Sequence, residues 1–435
     1  MRAFPLSPGR LKKGEHMPEQ IEAVVIGAGQ AGLAISYYLT LQHRPHVVLE
    51  QAARIAPAWR HGRWDSFTLV IPNWSVRLPG FPYQGDDPDG FMTRAEVVSH
   101  LERYAASFGA PVRCGLRVTA VDAAQDAQSY IVSATDGATY DADNVIVATG
   151  SFQFPKPSPF TGAFPSEIVQ LHSSHYRNPS TLPPGAVLVV GSADSGCQIA
   201  EEILESGRQV YLCVGSAERR PRCYRGKDTL SWAVAMGLVE QTVDQLASPS
   251  ARFTANPQLT GKNGGYTLNL HHFARNGMVL LGRLVGVDGC LIALAPDLRE
   301  NLAKADKASE DFKNRVDEFV RRSGVDAPDP EPDPLDEIRS DAGTHIRREM
   351  DLKVAGVTTV IWATGYGFNY SWVHLPVFDG YGFPVQQRGV TNFPGLYFLG
   401  MNFLYNRKSG ILLGVGEDAA HIGADVAARA SGKLA

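Results

Sequence analysis

Apolar runs of strand length alternate along this chain with longer stretches of helical character. Ala23–Ile26, His46–Leu49, Asn144–Val147, Ala186–Val190, Gln209–Val214, Thr359–Trp362 and Gly395–Gly400 read as strands. Ala31–Leu41, Thr93–Phe108, Cys197–Leu204, Asp297–Arg322 and Gly410–Ala430 read as helices. Strand and helix in this order predict an α/β fold. The breaks between the two kinds of run are where the chemistry concentrates.

Two of those breaks are glycine-rich and lie 164 residues apart, GAGQAG at Gly27–Gly32 and GSADSG at Gly191–Gly196. Each joins a strand to a helix, the setting in which small residues let backbone N–H groups and a helix N-terminus approach a diphosphate. Two Rossmann-like dinucleotide-binding domains are therefore expected. In the first, Gly27, Gly29, Gln30, Ala31 and Gly32 form the turn. Eighteen residues beyond Gly32 the next strand ends in Glu50, followed by Gln51. A carboxylate there accepts from both ribose hydroxyls and repels a 2′-phosphate, so this half should hold FAD or NAD. In the second, Gly191, Ser192, Ala193, Asp194, Ser195 and Gly196 form the turn, and the methyl of Ala193 narrows the approach to a diphosphate. Its second strand runs into Gly215 and Ser216 without an acid, and Arg219 and Arg220 follow, a setting for the 2′-phosphate of NADPH. Glu218 lies among them.

With 435 residues, 44% of them hydrophobic, the chain can bury one large core or two. A net charge of −4 with no long basic run argues against nucleic acid as a partner. The five cysteines, Cys114, Cys197, Cys213, Cys223 and Cys290, form no CxxC pair, so no dithiol relay is expected and a reducing, cytoplasmic setting is. No run of about 18 apolar residues occurs, which leaves no membrane span. Residues 1–20 carry prolines and basic residues without an apolar segment and read as a disordered tail. No metal is expected, because His172 and His175 lack partners at ligand spacing. No Gly-x-Ser-x-Gly elbow offers a hydrolase nucleophile.

The strand-to-turn pattern NVIVATG at Asn144–Gly150 recurs as TVIWATGY at Thr359–Tyr366. The repeat predicts a second nucleotide domain inserted within the first: 21–155 as the first part of the FAD domain, 156–358 as the NADPH domain, and 359–435 as the returning part. Pro155–Leu182 reads as a linker. Asp326–Glu337, with four prolines and six acids in twelve residues, reads as an exposed loop. The helix after Gly410 would point its N-terminus at a flavin ring, giving Gly414, Gly416 and Asp418 a role beside it.

These segments together resemble the class B flavoprotein monooxygenases, in their flavin-containing and N-hydroxylating branches. The resemblance spans roughly Glu22–Ala428 and rests on the paired turns, the linker HSSHYRNP at His172–Pro179, PRCYRG at Pro221–Gly226 and ATGY at Ala363–Tyr366. His172 and Tyr176 keep the family's spacing, whereas Phe164 lies eight residues before His172 instead of six. Tyr176 and Arg177 stand where lactone-forming relatives have Trp and Pro or Asp, which disfavours that chemistry.

The resemblance implies FAD and NADPH as cofactors and a flavin C4a-hydroperoxide that oxygenates a small-molecule nucleophile, an amine nitrogen or a sulfide sulfur. Oxidase or reductase activity without oxygenation is the alternative, and a non-catalytic flavin-binding partner protein a remoter one. Asn73, in VIPNWSVRLPG, is implied to lie beside the flavin as the catalytic amide. Trp59, Arg60 and Trp64 would lie along the flavin. Val118, Ala148, Thr149, Gly150, His172, Tyr176, Ala363, Thr364, Gly365 and Gly400 are further cofactor-binding candidates. Trp362, Tyr366, Phe368, Tyr370, Trp372, Phe403 and Tyr405 are candidates for a substrate pocket, and Asn406, Arg407 and Lys408 for recognition of an anion.

Overall fold

The structure, a computed structural model, describes residues 17–125 and 128–432. The expected tail lies outside the described residues up to position 16, but Glu19 and Gln20 already belong to the first strand. No helix among the described residues is long and apolar enough to cross a membrane.

The first unit is built on β1 (Glu19–Ile26), α1 (Gln30–Leu41) and β2 (His46–Glu50). They are followed by α2 (Arg94–Ser107), β3 (Val112–Cys114), the hairpin β4 (Val118–Ala123) and β5 (Tyr130–Ala134), and β6 (Thr139–Val147). α2 starts at a capping box, in which Thr93 accepts from the Glu96 N–H and Glu96 accepts from the Thr93 N–H, which is why the helix begins there. The chain then builds the second unit from β7 (Val169–His172), β8 (Ala186–Val190), α3 (Asp194–Glu205), β9 (Val210–Cys213) and β10 (Val279–Leu281). A long helix α4 (Leu298–Ser323) and β11 (Val357–Trp362) complete it. β12 (Leu396–Phe398) and α5 (Val415–Ala430) return to the first unit.

Strand pairing shows the internal repeat. The first sheet contains the parallel run β12-β6-β1-β2-β3, with the β4–β5 hairpin added antiparallel on β6, and the second runs β7-β11-β8-β9-β10, parallel throughout. In each, the strand that enters the glycine turn is central, and its apolar residues next to the turn, Ala23–Ile26 and Ala186–Val189, are buried as expected of strands covered on both faces. α1 and α5 pack together closely enough that a Cβ on Gly423 would lie 3.2 Å from that of Tyr38.

Two boundaries differ from the sequence expectation. β11 belongs to the second sheet, so the division at 358/359 cuts a strand. Each ATG turn therefore closes its own unit. The chain crosses between units through a short antiparallel ribbon in which Pro155 pairs with Tyr366 and Phe154 with Gly367. The return thus begins near Tyr366. Within the expected linker, Val169–His172 is an edge strand of the second sheet, and Phe164 packs edge-on against Trp362 at 5.7 Å.

The acidic segment is not free either. Asp336 is 3% exposed and paired with Arg219 and Lys313, while Asp333 accepts from the Thr267 hydroxyl at 2.5 Å. These carboxylates hold the segment to α4 and to the loops after β9.

Candidate active site at the seam of two nucleotide clefts

The two glycine turns have the same geometry. Gly27 and Gly191 have φ of +107° and +109°, and a Cβ on either would come within 2.8 Å of the Ala148 carbonyl oxygen or 2.5 Å of that of Ala363. Only glycine fits where the turn meets the ATG segment. A Cβ on Gly32 or Gly196 would overlap the carbonyl of Gly27 or Gly191 outright, so both helices need glycine at that position to pack on the strand.

The units brace the turn in opposite senses. In the first, Glu50 reaches back from the end of β2: its carboxylate accepts from the Ala28 N–H at 2.9 Å and the Ala52 N–H at 2.8 Å. In the second, the Ser192 hydroxyl reaches forward and accepts from the Gly215 N–H at 3.0 Å. Each Glu50 oxygen keeps a lone pair beyond its backbone bond, which suits a ribose diol. A Cβ on Gly29 would meet nothing within 4 Å. Ala193 caps α3 with almost the same backbone conformation, so its methyl enters the equivalent space without strain.

Around the first cleft, Gln30 donates to the Gly410 carbonyl at 2.9 Å and ties α1 to the turn before α5. Ala31 lies under Gly400, where a Cβ would collide with it. Val118 starts β4 close behind Glu50, since the Leu116 N–H donates to the Glu50 carbonyl, and Gln51 is exposed at the rim. Gln153 ties the first ATG turn to the returning chain: it donates to the Thr149 hydroxyl and the Gly150 carbonyl and accepts from the Asn369 N–H. Sequence reasoning passed over Gln153, whose only signal is its position just after an ATG turn.

Around the second turn, the segment after Asn256 lies directly against the motif. Gln258 donates to the Ser192 carbonyl at 2.8 Å, and the Leu259 N–H donates to Asp194 at 3.1 Å. Desolvation pushes the Asp194 carboxyl up to about 7, against the Leu259 N–H and the charges of Arg222 and Arg63. Ser195 follows it in the first turn of α3.

Several expected cofactor contacts are instead structural. Arg219 is 1% exposed and paired with Asp336 and Asp306, so it does not reach a 2′-phosphate. Arg220 is part-buried, bonded to Glu218 at 2.6 Å and stacked over Phe312. Arg60 turns to Glu102 of α2 and the Ile55 carbonyl. Trp64 is buried against Phe67, while Trp59 stays part-exposed. Tyr176 is fully buried with its hydroxyl donating to Glu202 of α3. His172 is buried, and burial holds its imidazole below the usual pKa; Nε2 donates to the Gly365 carbonyl, pinning the second ATG turn, and Thr364 bonds the Lys156 carbonyl. His175 is exposed and points elsewhere. Gly416 makes room for Pro79, and Asp418 is sealed beside Arg388 with one carboxylate oxygen unpartnered.

Asn73 is buried, and its amide is spent on a loop. Oδ1 accepts from the Met92 N–H at 2.7 Å and Nδ2 donates to the Asp87 carbonyl at 2.9 Å. Asn73→Ala strands the Met92 N–H and is expected to cost about 1–3 kcal/mol of stability. Urea unfolding checks this, and an unchanged midpoint would show that the loop does not depend on the amide.

The aromatic group divides between the cores. Trp362 is buried in the second unit, whereas Tyr370 stacks on Phe378 at 5.3 Å and meets Phe398 in the first. Phe368 contacts Phe253 and Phe383. Asn406 and Lys408 are buried and bonded to Glu240, so they are not an anion site. Tyr366 lies at the seam, edge-on to Phe152 at 5.1 Å and to His172 at 4.9 Å.

Residues 24–240 match the family model for pyridine nucleotide-disulphide oxidoreductases. All five cysteines here are free thiols. An uncharacterized CzcO-like oxidoreductase of Geobacillus kaustophilus is 32% identical over 94% of this chain and 99% of its own length. The indole-3-pyruvate monooxygenase YUCCA1 of Oryza sativa is 29% identical over 61% of this chain and 64% of its own. Among solved structures, a flavin-containing monooxygenase from Stenotrophomonas maltophilia superposes with a TM-score of 0.64 at 21% identity, covering 95% of this chain and 99% of that one. The glycine cradles and the anchored Glu50 fit dinucleotides at both turns. The chain therefore belongs to the CzcO-like oxidoreductases and shares the fold of a flavin-containing monooxygenase.

Proposed function

We propose that the protein is a monooxygenase that binds FAD at Gly27–Gly32 and NADPH at Gly191–Gly196 and inserts one oxygen atom into a small nucleophile, an amine nitrogen or a sulfide sulfur. The observation that carries this reading is the junction of the two ATG turns. Each abuts its own glycine turn, and Gln153, the Phe154–Gly367 ribbon and the Phe152–Tyr366 contact tie them together. Nucleotides in the two clefts would thus extend toward one seam.

When bound, FAD supplies the redox chemistry: it takes hydride from the nicotinamide and activates oxygen. The chain's part is to position and to shield. Glu50 accepts from the adenosine ribose, and the turn N–H groups and the start of α1 hold the diphosphate. His172 fixes the second ATG turn. Arg222 binds the units together, donating to the Val70 carbonyl at 2.9 Å and lying over Phe91. With Arg219 occupied, exposed Ser216 and part-buried Arg220 remain for the 2′-phosphate, so Arg220→Ala should weaken NADPH use and spare NADH.

Asp194 makes the second site pH-sensitive. Above neutrality its carboxylate adds negative charge where the diphosphate is to bind. Affinity for NADP⁺ is expected to fall about fivefold, near 1 kcal/mol, as pH rises from about 6 to 8.5. Arg63 and Arg222 set their positive charge against Asp194, and burial pushes the Cys197 thiol well above its usual value. Asp194→Asn should remove the Asp194 share of this fall, which titrations of both proteins with NADP⁺ would read.

The direct test is to reduce the purified yellow protein anaerobically with NADPH, then admit oxygen with a panel of amines and sulfides. Oxygenated product in step with NADPH consumed is the expected result. If all the oxygen consumed appears as hydrogen peroxide with every candidate, the oxidase reading replaces this one. The methyl of Ala193 and the exposed Phe152 at the seam favour that second reading, because a loosely held nucleotide would admit water.

A further inference from the structure

We propose that Arg63 reads the nicotinamide-side phosphate of the pyridine nucleotide from across the seam, an inference that rests on the NADPH reading above. Arg63 belongs to the first unit, in the irregular stretch between β2 and α2. Among the described residues no carboxylate lies within 4 Å of its guanidinium, although most other buried or part-buried arginines have one. The group lies instead among aromatic rings, 5.4 Å from the centroids of Trp59 and Phe67 and 5.6 Å from that of Phe152.

Only two bonds draw on its five donors. Nη1–H donates to the Gly62 carbonyl at 2.9 Å, and a second bond joins the Tyr366 hydroxyl. None of its nitrogens is both sealed from solvent and unpartnered, so the unused donors remain accessible. Stacking on aromatic faces offsets part of the desolvation of a guanidinium, but it leaves the charge without a counter-ion.

The backbone that carries this side chain is held from behind. Arg177 donates to the Arg63 and His61 carbonyls and Arg94 donates to the Arg63 carbonyl, while the Asp65 N–H bonds the Arg177 carbonyl. The linker that follows β7 thus clamps residues 61–65 and aims a fixed guanidinium into the seam. Opposite it, at the first position of α3, Asp194 feels the charge of Arg63. The two form no ion pair, so the charge of Arg63 is not used up by Asp194. A helix N-terminus and glycine turn on one side and an uncompensated guanidinium on the other suit a phosphate, which takes paired N–H donors.

The test uses the full-length, FAD-loaded protein and its Arg63→Gln and Arg63→Lys variants, with flavin content confirmed at wild-type level. NADP⁺ binding is followed by the flavin absorbance change, and 2′,5′-ADP binding by calorimetry. The second ligand retains the adenosine end and lacks the nicotinamide-side phosphate. The expected result is at least a tenfold rise in the NADP⁺ Kd for Arg63→Gln, partial recovery for Arg63→Lys, and less than a twofold change for 2′,5′-ADP. An unchanged NADP⁺ Kd overturns the proposal, and a raised substrate KM beside it would reassign Arg63 to a substrate carboxylate. Equal weakening of both ligands also overturns it, as damage to the whole cleft. Failure of the wild-type protein to bind NADP⁺ would instead refute the NADPH reading itself.

Discussion

Gly32→Ala is expected to yield a colourless protein, and Gly196→Ala a yellow one that NADPH no longer bleaches. In both variants the added Cβ overlaps a backbone carbonyl, of Gly27 or of Gly191, at the point where helix and strand approach most closely. A carbonyl fixed by a strand cannot rotate aside as a side chain can. The turn must open, and its N–H groups then no longer converge on a diphosphate. Overpacking in sites that can yield costs about 1–3 kcal/mol. Here the obstacle is backbone, so the affinity of the affected cleft should fall on the order of a hundredfold, nearly 3 kcal/mol. Flavin absorbance after purification and anaerobic NADPH titration read the two outcomes. Full flavin retention by Gly32→Ala would remove the first cleft from the mechanism, and normal bleaching of Gly196→Ala would remove the second.

Arg219→Ala should destabilise the protein by about 3–5 kcal/mol while leaving its preference between NADPH and NADH as it was. The Arg219 guanidinium is enclosed between Asp336 and Asp306, and Asp336 also holds Lys313 and the Ser309 hydroxyl, at 2.7 and 2.9 Å. Burial alone would raise both carboxyls. Their cationic partners and hydrogen bonds overcome it and hold both below the usual range. Since the folded-state values are depressed, the stabilisation from these acids is present above about pH 4 and lost as pH falls below it. Removing the arginine leaves two buried carboxylates short of a counter-charge and frees the 326–337 segment from α4. Urea unfolding and the ratio of kcat/KM for the two coenzymes test this. A variant as stable as wild type that has lost its NADPH preference would restore Arg219 to the phosphate site.

Local pattern was sufficient for the elements closest to the cofactors. Continuous apolar strands, a glycine turn, a helix and a terminal acid are contiguous in the chain, and each requirement acts on neighbouring residues. Glu50 at the end of β2 and the glycines under α1 and α3 were therefore legible, as was the α/β class. The ATG repeat was legible as a repeat, but not its place, because only strand pairing shows that β11 closes the second sheet.

Side chains that act across long separations had no such local signal. Arg219 and Arg220 are neighbours in sequence with the same chemistry. One is locked to acids 87 and 117 positions away, while the other bonds its near neighbour Glu218 and lies over Phe312. Asn73 is committed by two backbone groups 14 and 19 positions on. Arg63 was unremarkable in the sequence because its distinction is a missing partner, a property of everything packed around it. The chain by itself determined where the two glycine turns lie, since backbone geometry follows from local residue type. Which charges stay free to meet them was decided by tertiary packing, because a side chain's partners are set by what the fold brings beside it.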